Sequence, residues 1–201
     1  MFGFFQAVAH FEGTFQGVVA QPARIKKLSL SMPIWMMKMA SSNNTPFCTL
    51  MGGGVPVNPL KELLYWLVQF PRHTLPAIGL GILEKSAPNP DFVTAMRERC
   101  DELRQEFTDL LGDDGVFLYP THPLPAPYHN QPLTLINNFA YTGIFNVLGL
   151  PVTAVPMGLT PEKEGGVPIG IQVVAAKYND HLTLAVAQEL ENAFGGWVPP
   201  Y

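Results

Sequence analysis

Residues 143–176 read GIFNVLGLPVTAVPMGLTPEKEGGVPIGIQVVAA, and the fold turns on this stretch. Residues 151–157 and 167–175 are β-rich apolar runs separated by a charged, glycine-rich turn. A segment of helical character ending at Gly149 feeds the first run. Glycine and proline punctuate both runs so closely that they predict neighbouring, largely buried strands. Downstream, Asp180 is placed to cap an amphipathic helix over 182–194, stopped by Gly195 and Gly196. Upstream, helical spacing over 133–148 follows an extended crossing forced by Pro120, Pro123, Pro125 and Pro127. Before it, VFLY at 116–119 reads as a short buried strand. The clearest helix of the chain comes next upstream. Asn89 is its N-cap, Pro90 opens the first turn and Asp91 lies at the positive end of the dipole. Apolar residues then recur three and four apart from Phe92 to Leu111, and Gly112 stops them. The order helix, strand, helix, strand, strand, helix defines an α/β class of layered sheet and helices.

The first half is more apolar and less periodic. Residues 1–23 are rich in Phe and Gly and suggest only a short helix over 5–11. Residues 24–38 hold four of the chain's twelve basic residues, Arg24, Lys26, Lys27 and Lys38, among Ile25, Leu28, Trp35 and several methionines. That mixture packs as a helix with solvated lysines, or lies on a membrane surface. Residues 41–59, SSNNTPFCTLMGGGVPVNP, read as a loop. Asn58 and Pro59 then begin an apolar helix carrying Leu60, Leu63, Leu64 and Leu67, widened by Tyr65 and Trp66. Pro71 breaks it, and a second short apolar helix covers 77–83 with Ile78 near its start. Residues 58–84 thus form an apolar helical hairpin. Its arms are far shorter than the roughly 20 residues a membrane span needs. It either buries in the core or a dimer, or dips into one leaflet at the depth that suits Trp66, Tyr65 and Arg72.

Only 14% of residues are charged, and the net charge of −4 offers nothing to nucleic acid. Mean hydropathy is +0.14, high for a soluble chain, and 201 residues are enough for one sizeable core. Two cysteines, Cys48 and Cys100, make no disulfide framework and point to a reducing compartment. The N-terminus has no basic region ahead of its apolar stretch, so no cleaved signal peptide is expected.

Chemistry is harder to find than fold. The five serines are Ser29, Ser31, Ser41, Ser42 and Ser86, and none sits in a G-x-S-x-G turn. Cys100 falls on the apolar side of its helix, where a small buried thiol is the ordinary case. His122 and His129 straddle the proline-rich segment with no Cys or carboxylate beside them, so no metal site is expected. Asp180 and His181 read as helix-start residues rather than as part of a triad. Gly52, Gly53 and Gly54 are followed by Val55 and Pro56, without the lysine or spacing of a phosphate loop, and no cofactor is implied.

The pattern Asn146-x-x-Gly149-x-Pro151, Pro156-x-Gly158 and Gly166-x-Pro168-x-Gly170-x-Gln172 resembles the C-terminal half of the amidase-signature hydrolases. Four longer blocks narrow the resemblance to the fatty-acid amide hydrolases, their vertebrate type 2 branch in particular. They are LLGDDGVFLYPTHP at 110–123, NFAYTGIFNVLGLPVT at 138–153, GVPIGIQVVA at 166–175 and NDHLTLAVAQELENAFGGWV at 179–198. The resemblance assigns 24–201 to the C-terminal portion of an amidase-signature domain and leaves 1–23 unassigned. It implies a mixed β-sheet covered by helices and part of an acyl-chain channel. In that family a serine attacks the amide while a cis-linked serine relays its proton to a lysine. Those residues lie in the family's N-terminal half. Ser41 and Ser42 lack the preceding glycines of the family's Gly-Gly-Ser-Ser stretch, so no catalytic residue carries over. The implied substrate of the full-length form is a lipid amide. The 58–84 hairpin is expected to touch a membrane or lipid-droplet surface inside the cell, with Leu63, Trp66, Leu67 and Ile78 at the mouth of the channel. Packing of the hairpin in a homodimer stays open beside core burial, and a non-enzymatic membrane-surface or partner-binding module is the alternative.

Overall fold

The computed structural model describes residues 2–40, 45–85, 89–129, 131–161 and 165–199. The chain divides into two compact units, residues 1–32 with 99–201, and residues 33–98. Its helices are α1 (Phe2–Thr14), α2 (Ser31–Ala40), α3 (Phe47–Met51), α4 (Pro59–Leu67), α5 (Leu75–Lys85), α6 (Pro90–Leu111), α7 (Ala140–Leu148) and α8 (Asp180–Phe194). Its strands are β1 (Val116–Pro120), β2 (Val152–Leu159) and β3 (Pro168–Ala175).

The larger unit is built on a three-stranded antiparallel sheet in the order β1-β3-β2. The two apolar runs of the opening stretch pair directly, Val152 with Val174 and Val155 with Ile171. Gly149 makes the turn into β2 by ending α7 in the left-handed region at φ +73°. Its N–H and that of Leu150 close on the Phe145 carbonyl, a helix-end geometry that costs glycine least. Alternation along the strands gives the sheet two faces. Val155, Met157, Ile171 and Val173 form a buried core with Ala7 of α1 and Leu190 of α8, with Phe4, Phe11, Leu118 and Val186 packed around it. The opposite face carries an aromatic cluster. Phe107 of α6, Phe117 and Tyr119 of β1, and Tyr141 and Phe145 of α7 lie with ring centres 5.3 to 6.5 Å apart.

The α/β class is as the sequence predicts, and several details differ. β3 is buried over its C-terminal five residues, but β1 is half-buried throughout and β2 alternates. The helical spacing over 133–148 resolves into two short 3-10 turns, Gln131–Leu133 and Ile136–Phe139, before α7 begins. Thr134 Oγ1 donates to the Gln131 carbonyl there, one of the local bonds by which such side chains compete with a continuous helix. Asn179, not Asp180, is the N-cap residue of α8, and its side chain donates instead to the Asp113 carbonyl at 2.6 Å. The short helix expected over 5–11 is the thirteen-residue α1, held against the sheet rather than by its own periodicity.

In the smaller unit, Asn58 Oδ1 accepts from the Leu60 N–H at 3.0 Å, the cap the sequence predicts for α4. The 41–59 loop contains a helix that local signals do not announce. α3 is anchored at its N-terminus by Glu84 of α5, which accepts from the N–H groups of Phe47 and Cys48. Gly81 of α5 permits close packing, since a Cβ there would lie 3.1 Å from Pro59 Cβ and 3.3 Å from Cys48 Sγ. Burial alone would raise the Glu84 carboxyl. The bonds from Cys48 and Phe47 outweigh it and hold the group below the usual carboxylate value. Burial, then Glu84, pushes the Cys48 thiol up. A carboxyl depressed in the folded chain binds fewer protons than in the unfolded one. Its contribution is therefore full above the unfolded value and is lost as pH falls through the folded value. Glu84→Gln should melt earlier than the parent at pH 7, by the ~1 kcal/mol of a lost helix cap. Melting curves collected down to pH 3 should converge as the parent loses the same interaction.

Candidate functional site

Gln172 is the polar anchor of the larger unit. It sits in the middle of β3 on the aromatic face, 2% exposed, where an unpaired amide would be costly. Its Nε2 donates to the Pro120 carbonyl at 2.8 Å and to the Tyr141 carbonyl at 2.9 Å, so one side chain ties β1, β3 and α7 together. Tyr119 lies beside it, its hydroxyl pKa pushed up to about 12 by burial and by Tyr141. A phenol held this high is a packing and hydrogen-bonding group at neutral pH, not a base. Thr153 Oγ1 donates to Thr183 Oγ1 at 2.8 Å, joining β2 to α8.

On the other face, an apolar groove of about 1760 Å³ is lined by Phe4, Phe11, Phe15, Leu118, Ile171 and Val186, with Glu189 at its wall. That volume exceeds the roughly 300–1,000 Å³ of a fitted small-molecule pocket, and the lining is a trough rather than a shaped site. His10 Nε2 donates to Glu189 Oε1 at 2.8 Å, tying α1 to α8.

Among the described residues the candidate reactive groups do not converge. Cys100 is buried in α6 with Arg104 Nη2 3.7 Å from its sulfur. His122 is held by the Leu124 backbone and by Asn138 Nδ2, while His129, Asp180 and His181 are exposed. Ser29 and Ser31 hydroxyls donate to the carbonyls of Lys26 and Leu28. Ser41, Ser42 and Ser86 lie outside the described residues. Among the described residues no group of three or more His, Cys, Asp or Glu is placed to hold a metal.

The smaller unit carries the four residues expected at a channel mouth, and they do not share one environment. Leu63 is half-buried, Trp66 and Leu67 are exposed, and Ile78 is buried in α5. α4 is turned inside out. Glu62, its central charge, is 5% exposed, while Leu60, Leu64 and Leu67 are 64%, 58% and 65% exposed along one side. Glu62 Oε2 accepts from His73 Nδ1 at 2.8 Å, and His73 Nε2 donates to the Met51 carbonyl at 3.1 Å. Arg72 stacks over Tyr65, with its guanidinium carbon 5.0 Å from the ring centre. Sequence periodicity finds the apolar stripe of α4 but not its outward orientation, because the stripe and the buried pair compete for the same helix. Among the described residues no helix is long and apolar enough to cross a membrane.

The sheet, its Gln172 anchor and its helical cover are a scaffold of the α/β class, and the amidase family model matches residues 17–184. The chain belongs to the amidase family. Its relatives include fatty-acid amide hydrolase 2 of Homo sapiens, 46% identical over 97% of this chain and 37% of that protein. Fatty-acid amide hydrolase 2-A of Danio rerio is 48% identical over 92% of this chain and 35% of its own length. A solved fatty acid amide hydrolase shares the fold at a TM-score of 0.59, with 17% identity, over 99% of this chain and 37% of that one. The chain thus spans little more than a third of the relatives it matches. The human match leaves out only a handful of the 201 residues, so most of segment 1–23 falls within it.

Proposed function

We infer that this chain is the C-terminal scaffold of a lipid amidase of the fatty-acid amide hydrolase type. The observation that carries the reading is near-complete coverage of this chain, at 46% identity, by a protein of which it spans 37%. In the full-length form the reaction is hydrolysis of a long-chain N-acyl amide to fatty acid and amine, by the family's serine, cis-serine and lysine. None of those three motifs is present in this sequence. The role of this portion is to back and shape the acyl site, with Trp66 and Leu67 as the exposed part of the acyl-chain lining, Leu63 as its half-buried part and Ile78 as its buried part. Assay of the purified chain with a long-chain N-acylethanolamine tests the reading. Fatty acid should not be released above the buffer blank.

The outward leucine stripe of α4 favours a second role, contact with a lipid surface. Leu60, Leu64 and Leu67, with Trp66 at their side, are the type of apolar face that enters a membrane interface. Vesicle flotation should recover the chain with the lipid, and Leu64→Asp with Leu67→Asp should move most of it to the unbound fraction. Equal flotation of the two would remove α4 as the contact.

A further inference from the structure

The contact of Glu62, His73 and Met51 lies wholly within the smaller unit and fastens three of its segments. Met51 is the last residue of α3, where carbonyls lack a partner in their own helix. The His73 ring, in the turn between α4 and α5, joins that carbonyl to Glu62 on the inner side of α4. The turn is itself constrained. Gln69 holds φ at +64° without being glycine, and the Phe70 N–H closes on the Tyr65 carbonyl at 2.9 Å. Pro59 and Glu62 are the buried residues of α4, so the polar contact occupies the place its leucines would otherwise take.

The protons in this contact can be counted. A carbonyl oxygen and a carboxylate only accept, so the bonds at 2.8 and 3.1 Å need two protons, whether the second sits on Nδ1 or on Oε2. A neutral imidazole beside an ionised carboxylate has one proton for both. One contact then becomes a meeting of two acceptors beside a buried charge, which is costly. Among the described residues of these elements, the other titratable groups are placed elsewhere. Arg72 stacks over Tyr65, Glu84 of α5 accepts from the Phe47 and Cys48 N–H groups, the Cys48 thiol of α3 lies on the Gly81 carbonyl, and Lys61 and Lys85 are exposed.

We propose that this contact is a proton-operated latch. With its second proton it holds α4 with the leucine stripe outward, and loss of that proton as pH rises frees the helix. This rests on the lipid-surface reading of α4 and names its regulation. Lipid contact weakens in alkaline conditions and is restored when the proton returns. A glutamine at position 62 changes the count. Its amide accepts from a protonated Nδ1 or donates to a bare one, so a ring with one proton satisfies Met51 as well and the latch stays closed.

Amide exchange over residues 60–67, read by mass spectrometry in the parent and in Glu62→Gln, tests the latch without lipid. Comparing the two at one pH cancels the intrinsic effect of pH on exchange. They should match at about pH 6, and the parent should exchange at least about fivefold faster at about pH 9. Equal exchange at both pH values would overturn the proposal, as would a difference of the same size at both. Glu189→Gln, which alters the His10 pair of the larger unit, should follow the parent at both. Loss of the pH dependence in that variant would also overturn the latch. Flotation with neutral phosphatidylcholine vesicles then reads the lipid role. The parent should be recovered with lipid at the lower pH and lost at the higher, and Glu62→Gln should be recovered at both. An exchange difference of the expected form with no flotation of either protein supports the latch and overturns the lipid-surface reading instead.

Discussion

Phe145→Ala should destabilise the sheet-bearing unit by about 3–5 kcal/mol, the range for truncating a fully buried aromatic. Phe145 is 1% exposed and meets Phe107 and Tyr119 nearly edge-on, with ring centres 5.7 and 5.8 Å away. Edge-to-face contacts of this kind add about 0.5–1.5 kcal/mol beyond buried area, and the alanine forfeits both. The space cannot be refilled cheaply. Its walls come from α6, β1 and α7, and Gln172 already pins β1, β3 and α7 together. At about 2–4 °C per kcal/mol for a chain of this size, the melting temperature should fall by about 6–20 °C. Tyr128→Ala, at a site 86% exposed, should change it by less than 2 °C. Equal shifts for the two would mean that the aromatic cluster is not the core of that face.

His73→Leu has the second largest expected effect, and its sign follows from what it leaves behind. Glu62 is buried, and its carboxyl group would lose its hydrogen-bond partner. Leaving a buried polar group unsatisfied costs about 1–3 kcal/mol, more for a charged one, whereas replacing both partners by apolar groups is often nearly neutral. The His73 side chain is 23% exposed, so the reverse variant, Glu62→Leu, leaves a histidine that water can reach and should cost less. The double variant should recover most of the loss. Denaturant melts of the four proteins give the coupling directly, with about 2 kcal/mol expected. A coupling near zero would mean that the pair does not hold α4 in its inverted orientation.

How far the sequence foretells this molecule differs between its halves. In the larger unit the rules of period and punctuation find the sheet and the helix that feeds it. Gly149 ends α7, and the two runs pair as β2 and β3. In the smaller unit Asn89 Oδ1 accepts from the Asp91 N–H at 2.9 Å to start α6. Those signals are local, or nearly so. α3 depends on Glu84, more than thirty residues away, which no window around Phe47 can see. α4 is legible as a helix and illegible in orientation, because its leucine stripe predicts burial while Glu62 takes the inner position. The sequence motifs identify the family correctly. They identify no catalytic residue. In the structure Cys100 is buried, and His10, His73 and His122 are engaged with neighbours.

The amidase scaffold also gives the glycine and proline pattern a physical meaning. Gly170 lies where β2 and β3 approach closely, and a Cβ there would come within 3.0 Å of the Val155 carbonyl oxygen. Pro156 and Gly158 fall at the register irregularity that ends regular pairing. The stretch that marks the family therefore shapes the sheet.

The central claim is that this chain supplies scaffold and not bond-breaking chemistry. The most direct measurement is fatty-acid release from a long-chain N-acylethanolamine or primary amide by the purified chain, run beside Ser41→Ala with Ser42→Ala. The account predicts that both proteins stay at the buffer rate. Release above that rate by the parent would contradict it, and release that persists in the double variant would show that the nucleophile is another residue of this chain.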